Sequence, residues 1–167
     1  DLIAAQKRGV ILDVGHGAGS FVYRNAVPAI KQGFLPHSIS TDLHGMNVPG
    51  PVVNQLNVMS KFLAMGVPLN EVIRRATVNP AAEIRHPELG TLSVGSAADI
   101  AVLTYSKALY GYTDTSAGML RGNGKLTCAM TILGGNVLFD PAGRSKVEWT
   151  KIPKDSQYWR NPSAQQW

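Results

Sequence analysis

The fold is decided by the stretch Ser38-Ile39-Ser40-Thr41-Asp42-Leu43-His44-Gly45, in which an acid directly follows a strand predicted over Ser38 to Thr41. A second apolar run, Val10 to Val14, comes about one helix earlier and leads into the turn Gly15-His16-Gly17. This run is continuous rather than alternating, which is typical of a buried strand in a parallel sheet. The two strands would deliver polar groups to one edge of that sheet.

Glycine and proline positions predict helices between and after these strands. A short helix over Ile3 to Arg8 would end at Gly9. Asn25 is expected to cap a second helix, which carries Pro28 in its first turn and stops at Gly33. Strand, helix and strand then form one βαβ unit, so the chain is predicted to be of the α/β class.

Two longer helices are predicted after the second strand. The first runs from about Val52 to Met65, and Gly66 ends it. The second runs from Leu69 to Thr77, with Arg74 and Arg75 projecting outward, and a short further turn follows through Ile84. The faces expected to be buried consist of Val53, Leu56, Met59 and Leu63 in the first helix and Leu69, Val72, Ile73 and Ala76 in the second.

From Gly90 onward the sequence changes to short β segments separated by glycine. Gly134-Gly135-Asn136 is a plausible tight turn between the last two segments. We therefore predict three parts: residues 1–88, residues 89–150, and a polar extended arm over residues 151–167. The predicted β segments are Thr91-Leu92, Ile100 to Leu103, Met130 to Leu133 and Asn136 to Phe139.

Composition narrows the function classes. The chain has 167 residues, 44% of them hydrophobic and 16% charged, which is enough to bury a core. Sixteen basic residues against eleven acidic ones give a net charge of +5, but they are scattered, which disfavours a nucleic-acid binder. No apolar run is long enough to span a membrane. The single cysteine, Cys128, lies in an apolar run, so we expect a buried thiol and a reducing, cytoplasmic location.

Several motifs together resemble the amidohydrolase superfamily, and most closely its dihydroorotase-like deacetylase branch. The resemblance covers roughly Asp1 to Phe139, and the order of the motifs makes it specific. It implies the last βα units of a metal-dependent (β/α)8 barrel, with Val10–Val14 as the seventh strand and Ser38–Thr41 as the eighth, followed by a small β-sandwich. The motifs are Asp13-Val14-Gly15-His16-Gly17, Ser20-Phe21, residues 38–45, Ala76-Thr77-Val78-Asn79-Pro80-Ala81, and residues 90–102.

The resemblance implies that Asp42 is both a catalytic residue and a metal ligand. In the family pattern this acid ligates a divalent metal, expected to be zinc in one or two ions, and carries a proton from a metal-bound hydroxide to the leaving group. A carboxylate at the C-terminal end of a barrel strand points into the mouth where the site forms, which agrees with that role. The residues alone leave open that Asp42 merely caps the following loop.

Three further residues are candidates for substrate binding: His16, His44 and Met46. His16 could face a substrate carboxylate or carbonyl from its Gly-His-Gly turn, or it could be satisfied by backbone groups. His44 could orient Asp42 or be a structural loop histidine. Met46 lies in the Gly- and Pro-rich loop after the acid and would supply an apolar contact.

We therefore predict part of a hydrolase that cleaves an amide or ester bond of a small acylated substrate. The family's remaining metal ligands have no counterparts here, and the chain lacks an initiator methionine, so we expect a fragment that needs the remainder of the barrel. A homo-oligomer is also expected, with no nucleic-acid or membrane partner. The alternative is a non-catalytic interaction subunit derived from an amidohydrolase.

Overall fold

The computed structural model describes residues 1–153 and begins with a βαβ unit. Helix α1 is Leu2–Lys7, strand β1 is Asp13–Gly15, helix α2 is Tyr23–Lys31, and strand β2 is Ser38–Ser40. The two strands pair in parallel, with Val14 opposite Ile39. Within the described part of the chain, no helix combines the length and the apolar composition needed to cross a membrane.

The first strand is shorter and less buried than the sequence predicts. It starts at Asp13, so the prediction of a strand from Val10 was wrong for its first three residues. Val10 and Ile11 are exposed, the latter at 54%. A parallel strand is buried only when neighbouring strands and helices cover it, and in residues 1–153 β1 pairs with β2 alone.

The start of α2 also differs from the prediction. The helix begins at Tyr23, so Asn25 lies inside it and is not its cap. The backbone N–H of Tyr23 is instead satisfied by the Asp114 carboxylate, at 2.8 Å from Oδ2. Because this cap comes from 91 residues away in the chain, local sequence could not indicate it.

Three helices follow β2: α3 is Gln55–Ala64, α4 is Leu69–Ala76, and α5 is Val78–Glu83. The Asn54 side chain caps α3 by accepting a hydrogen bond from the Asn57 N–H. Two positions predicted to be buried, Val53 and Leu69, are exposed. Val53 precedes the helix with a φ of 64°, so it cannot share the helical face.

Arg75 corrects a further expectation, since its side chain does not project into solvent. Its guanidinium donates to the Pro36 carbonyl oxygen at 2.5 Å and pairs with Glu71 at 2.9 Å. It thereby fixes α4 against the connection that leads into β2.

Five antiparallel strands follow Gly90: β3 is Ile100–Ser106, β4 Tyr110–Thr113, β5 Met119–Gly122, β6 Lys125–Leu133, and β7 Asn136–Phe139. They form a sheet of order β3-β6-β7 and a separate hairpin of β4 with β5.

The β4–β5 hairpin was not predicted, and the predicted strand Thr91-Leu92 is not a strand. Gly134 and Gly135, both with positive φ, form the predicted tight turn. The β-sandwich stays a prediction, as does the division into three parts, and nearly all of the proposed arm lies outside the described residues.

One hydrophobic core joins the helices to the β-rich part. Phe62 of α3 and Leu126 of β6 belong to the same buried cluster. The Ser60 hydroxyl strengthens this junction by accepting a hydrogen bond from the Leu126 N–H at 3.0 Å. Helix α3 therefore connects the parallel strands to the antiparallel sheet.

Candidate active site

The C-terminal edge of the parallel pair β1 and β2 brings the predicted motifs together. Hydrogen bonding continues past the strands, from the His16 N–H to the Ser40 carbonyl oxygen at 3.3 Å and from the Gly17 N–H to the Thr41 carbonyl oxygen at 3.0 Å. The Gly15-His16-Gly17 turn therefore runs beside the segment that carries Asp42. We call this region the β1–β2 edge.

Asp42 lies at the β1–β2 edge with its carboxylate against Gly17. A Cβ atom placed on Gly17 would come within 2.9 Å of Asp42 Oδ2, so glycine is the residue that leaves room for the carboxylate. Asp42 is exposed and adopts a left-handed φ of 48°. Within residues 1–153 its carboxylate oxygens form no hydrogen bond, so they are open to a ligand.

Asp13, the first residue of β1, is a nearby acid with a different environment. Its two carboxylate oxygens accept hydrogen bonds from the hydroxyl groups of Ser38 and Ser40. Those bonds cross from β1 to β2 and fix the strand pair. Asp13 thus stabilises the pairing of β1 with β2, whereas Asp42 remains available for chemistry.

The loop after Asp42 is ordered by a residue that the sequence analysis missed, the fully buried Asn47. Its side-chain amide donates to the Asp42 carbonyl oxygen at 2.8 Å, and its side-chain oxygen accepts from the His44 N–H at 2.9 Å. The Asn47 carbonyl oxygen also accepts from the N–H groups of Val52 and Val53. These bonds fix the backbone of the loop that begins at Asp42.

His44 and Met46 lie on the outside of this loop. Met46 is 82% exposed, and His44 is exposed as well. The His44 ring is held weakly, since its Nδ1 accepts from the Met46 N–H at 3.4 Å. Both side chains are accessible to a ligand, and their part in substrate binding stays a prediction.

His16 is fully buried, and both of its ring nitrogens have partners. Nδ1 donates to the Gly17 carbonyl oxygen at 3.0 Å, and Nε2 lies 2.6 Å from Lys61 Nζ. The ring also stacks on Phe21 at 4.6 Å between centroids. Burial, assisted by the nearby Lys61 charge, lowers the pKa of His16, so the ring is neutral near pH 7. The geometry favours a histidine whose hydrogen bonds are satisfied within the protein over one that binds substrate.

Lys61 on α3 is a buried cation that sequence analysis did not single out. Its ammonium group has three donors, and three acceptors surround it: His16 Nε2 at 2.6 Å and the carbonyl oxygens of Pro51 and Thr113 at 2.6 and 2.7 Å. Burial lowers the pKa of Lys61 to about 8, and the negative charge of Asp114 limits that decrease. Lys61 therefore connects the His16 turn, the loop after Asp42 and strand β4.

A metal ion would need more ligands than these residues supply. Within residues 1–153, no three His, Cys, Asp or Glu side chains come close enough together to hold one. Asp42 fits as a single ligand, because its carboxylate is exposed and its oxygens form no hydrogen bond in that range. The β1–β2 edge is thus compatible with supplying one ligand, Asp42, to a metal site.

Comparison with known proteins identifies the family. The family model described as "Amidohydrolase family" matches residues 22–138, which include Asp42 and the loop after it. The chain belongs to the amidohydrolase family. This confirms the resemblance that the motifs indicated.

Similar amidohydrolases show how much of the fold the chain represents. A protein from Brucella anthropi described as a deacetylase is 37% identical over 130 residues, which cover 78% of this chain and 32% of that protein. The crystal structure of an adenine deaminase matches with a TM-score of 0.79 and 31% identity, and that of a dihydroorotase with a TM-score of 0.75 and 36% identity. The alignments cover 83% and 82% of this chain and 38% of each of those chains. The chain therefore spans about a third of the length of its relatives, as part of the same barrel fold.

Proposed function

We propose that the complete protein containing this chain is a metal-dependent hydrolase that cleaves an amide or ester bond of a small acylated substrate. The observation that carries this proposal is the exposed Asp42 carboxylate, which lies against Gly17 at the C-terminal edge of two parallel strands. Membership of the amidohydrolase family and similarity to a protein described as a deacetylase support the same reaction class.

Asp42 would serve as a metal ligand and as the group that moves a proton. A divalent metal, when bound, would lower the pKa of a water molecule to about 7 and would polarise the carbonyl of the substrate. Asp42 would accept a proton at a carboxylate oxygen and would donate it to the leaving nitrogen or oxygen. The Asn47 side chain, bonded to the Asp42 carbonyl oxygen and the His44 N–H, would hold the Asp42 backbone in place during this transfer.

The remaining ligands and most of the substrate pocket would come from the rest of the barrel. Zinc is the proposed metal, and the other part of the barrel belongs either to the same polypeptide or to another chain. His44 and Met46, on the outside of the loop, would contact the acyl or side-chain portion of the substrate. A homo-oligomer and a cytoplasmic location complete the proposal; the location rests on the single cysteine.

The test is metal content and hydrolysis of the complete native protein, using a panel of N-acetylated amino acids as the probe. We expect bound zinc or manganese and measurable release of acetate. Asp42→Ala should reduce hydrolysis by at least about a hundredfold, because both the ligand and the proton carrier are lost. Glu148→Gln, which changes an exposed acid outside the β1–β2 edge, is the control and should keep full activity.

Two results would count against the catalytic proposal. One is a native protein that is folded and metal-free, and the other is an Asp42→Ala variant that keeps wild-type hydrolysis. Either result would favour the non-catalytic interaction subunit instead.

A further inference from the structure

The buried ammonium of Lys61 occupies an unusual position for a charged group. Ionised lysine side chains are rarely fully buried, because desolvation is costly unless every donor has a partner. All three Lys61 donors have neutral acceptors at 2.6 to 2.7 Å, and none of the three acceptors is a carboxylate. A hydrophobic residue of similar length would fill the same space without that cost.

The acceptors lie on both sides of Asp42 in the chain. His16 is followed by Gly17, the residue against which the Asp42 carboxylate rests. Pro51 ends the loop that begins at Asp42 and is held together by Asn47. Lys61 therefore holds the turn beside Asp42 and the loop after it at a fixed separation.

The contact with His16 acts on Gly17 in a defined way. Since an ammonium group only donates, Nε2 of His16 must accept, and the ring proton must therefore be on Nδ1. That proton is donated to the Gly17 carbonyl oxygen at 3.0 Å. Lys61 thus selects the tautomer that ties the ring to Gly17, and Gly17 in turn sets where the Asp42 carboxylate can lie.

We infer that Lys61 is a positioning residue, which acts through His16 and Gly17 on one side and through Pro51 on the other to hold the Asp42 carboxylate in its reactive place. The inference deepens the proposed function and rests on it. Neither Lys61 nor His16 is proposed to touch the substrate. A misplacement of a reacting group by about 1 Å can cost about a hundredfold in rate, which sets the scale of the expected effect.

The first experiment compares Lys61→Met and His16→Gln with the wild-type complete protein, using the same N-acetylated amino acids. Lys61→Met leaves an unbranched side chain one heavy atom shorter and removes the three donors. We expect kcat to fall by at least about tenfold in each variant, with KM changed by less than about threefold, because the substrate contacts remain. The double variant should be no slower than the slower single variant, since both changes interrupt the same path. Lys31→Met, at an exposed lysine of α2, is the matched control.

The second experiment does not depend on activity. In protein labelled with ¹⁵N-histidine, ¹⁵N-glycine and ¹³C-aspartate, wild-type His16 should show the tautomer protonated at Nδ1. Lys61→Met should change that tautomer and shift the resonances of the Gly17 amide and the Asp42 carboxyl carbon, whereas Lys31→Met should leave all three unchanged. A merely structural role would lower the melting temperature without moving those resonances.

The outcomes separate the inference from the proposed function. If the wild-type protein hydrolyses none of the probes, the proposed function fails and the resonances alone decide the inference. Unchanged kcat in either variant, or unchanged Gly17 and Asp42 resonances, overturns it. If Lys61→Met does not fold, the His16→Gln variant tests the inference. The glutamine amide oxygen can still accept a hydrogen bond from Lys61, whereas the hydrogen bond to the Gly17 carbonyl oxygen is lost.

Discussion

Two aspartates near one strand pair show how the role of a residue depends on its neighbours. Asp13 begins β1 and Asp42 follows β2, but hydroxyl groups satisfy the Asp13 carboxylate, whereas Asp42 is exposed beside a glycine. A carboxylate saturated by hydrogen bonds stabilises structure, and one open to solvent can bind a ligand. The difference arises from Gly17, which has no side chain to occupy the space.

Gly17→Ala should damage activity more than stability. The new Cβ would lie 2.9 Å from Asp42 Oδ2 and would be attached to a residue with a φ of 57°, so the carboxylate must move. The left-handed backbone adds a cost of about 1 to 2 kcal/mol to the free energy of folding. Hydrolysis rates and thermal unfolding of the complete protein would be measured together, and we expect at least a tenfold loss of kcat.

Gly19→Ala is the matched control for that change. Gly19 is in the same turn region, has no left-handed φ, and has nothing within 4 Å of the position of an added Cβ. It should keep both activity and stability. Equal effects of the two substitutions would mean that the turn as a whole, rather than contact with Asp42, matters.

Sequence reasoning found Asp42 but missed Lys61 and Asn47, for a physical reason. Asp42 could be predicted because it follows a strand and belongs to a recognisable motif. Lys61 and Asn47 are polar residues, which periodicity assigns to the solvent side of a helix or loop. Their burial depends on acceptors such as Thr113, which is 52 residues from Lys61. No local pattern indicates such a partner.

At the scale of the elements, α2 depends on an acid from a distant turn. The Asp114 carboxylate accepts hydrogen bonds from the N–H groups of Tyr23, Ser116 and Gly118. It therefore caps the first turn of α2 and also closes the β4–β5 hairpin. This explains why α2 can begin without a capping side chain of its own.

Asp114→Ala should destabilise the protein by about 1 to 3 kcal/mol, because several N–H donors lose their acceptor. Burial raises the pKa of Asp114, but the N–H donors from Tyr23, Gly118 and Ser116 outweigh it, so the pKa lies below its usual value. A lowered pKa means that this stabilisation is present above the unfolded-state value and is lost as the pH falls through the folded-state value. Urea unfolding at pH 7, 5 and 3 should show the gap between variant and wild type shrinking at pH 3.

The control for the capping prediction is Asp140→Ala. Asp140 likewise accepts from the N–H groups of Arg144 and Ser145, but its turn is exposed and, within residues 1–153, bonds to no second helix or strand. We expect a smaller loss of stability than for Asp114→Ala. A loss as large as that of Asp114→Ala would show that capping of α2 is not the cause.

At the scale of the whole molecule, α3 carries the contact between the two kinds of sheet. Its Phe62 is in the shared core, and its Ala64 packs against the β4–β5 hairpin at Gly122. An added Cβ on Gly122 would lie 2.6 Å from the Ala64 Cβ and 3.2 Å from its Cα. The helix and the hairpin are therefore in backbone-level contact.

Gly122→Ala should separate these two elements and lower the free energy of unfolding by about 1 to 3 kcal/mol, the usual cost of overpacking. Gly111→Ala in the same hairpin is the control, because an added Cβ there meets only the flexible Met119 side chain at 3.4 Å. Urea unfolding of the complete protein would measure both. Equal stability of the two variants would contradict a close contact between α3 and the hairpin.

The overall architecture was partly predictable. The two parallel strands, the helices after them and the last hairpin turn follow from apolar runs and from glycine positions. The β4–β5 hairpin was missed because residues 107–124 are rich in glycine, threonine and serine and show no strong alternation. Its contact with α3 at Gly122 and the hydrogen bonds that Asp114 accepts within its turn leave no local hydrophobic pattern.

The three hydrogen bonds of Lys61 also bear on the order in which the molecule folds. The bonds to His16 and Thr113 join residues that are 45 and 52 positions apart, so both chain segments must close before the lysine can leave water. Residues 16, 61 and 113 must therefore be brought together before the Lys61 ammonium can be buried. We expect the arrangement around Asp42 to be completed only once these long-range contacts have formed.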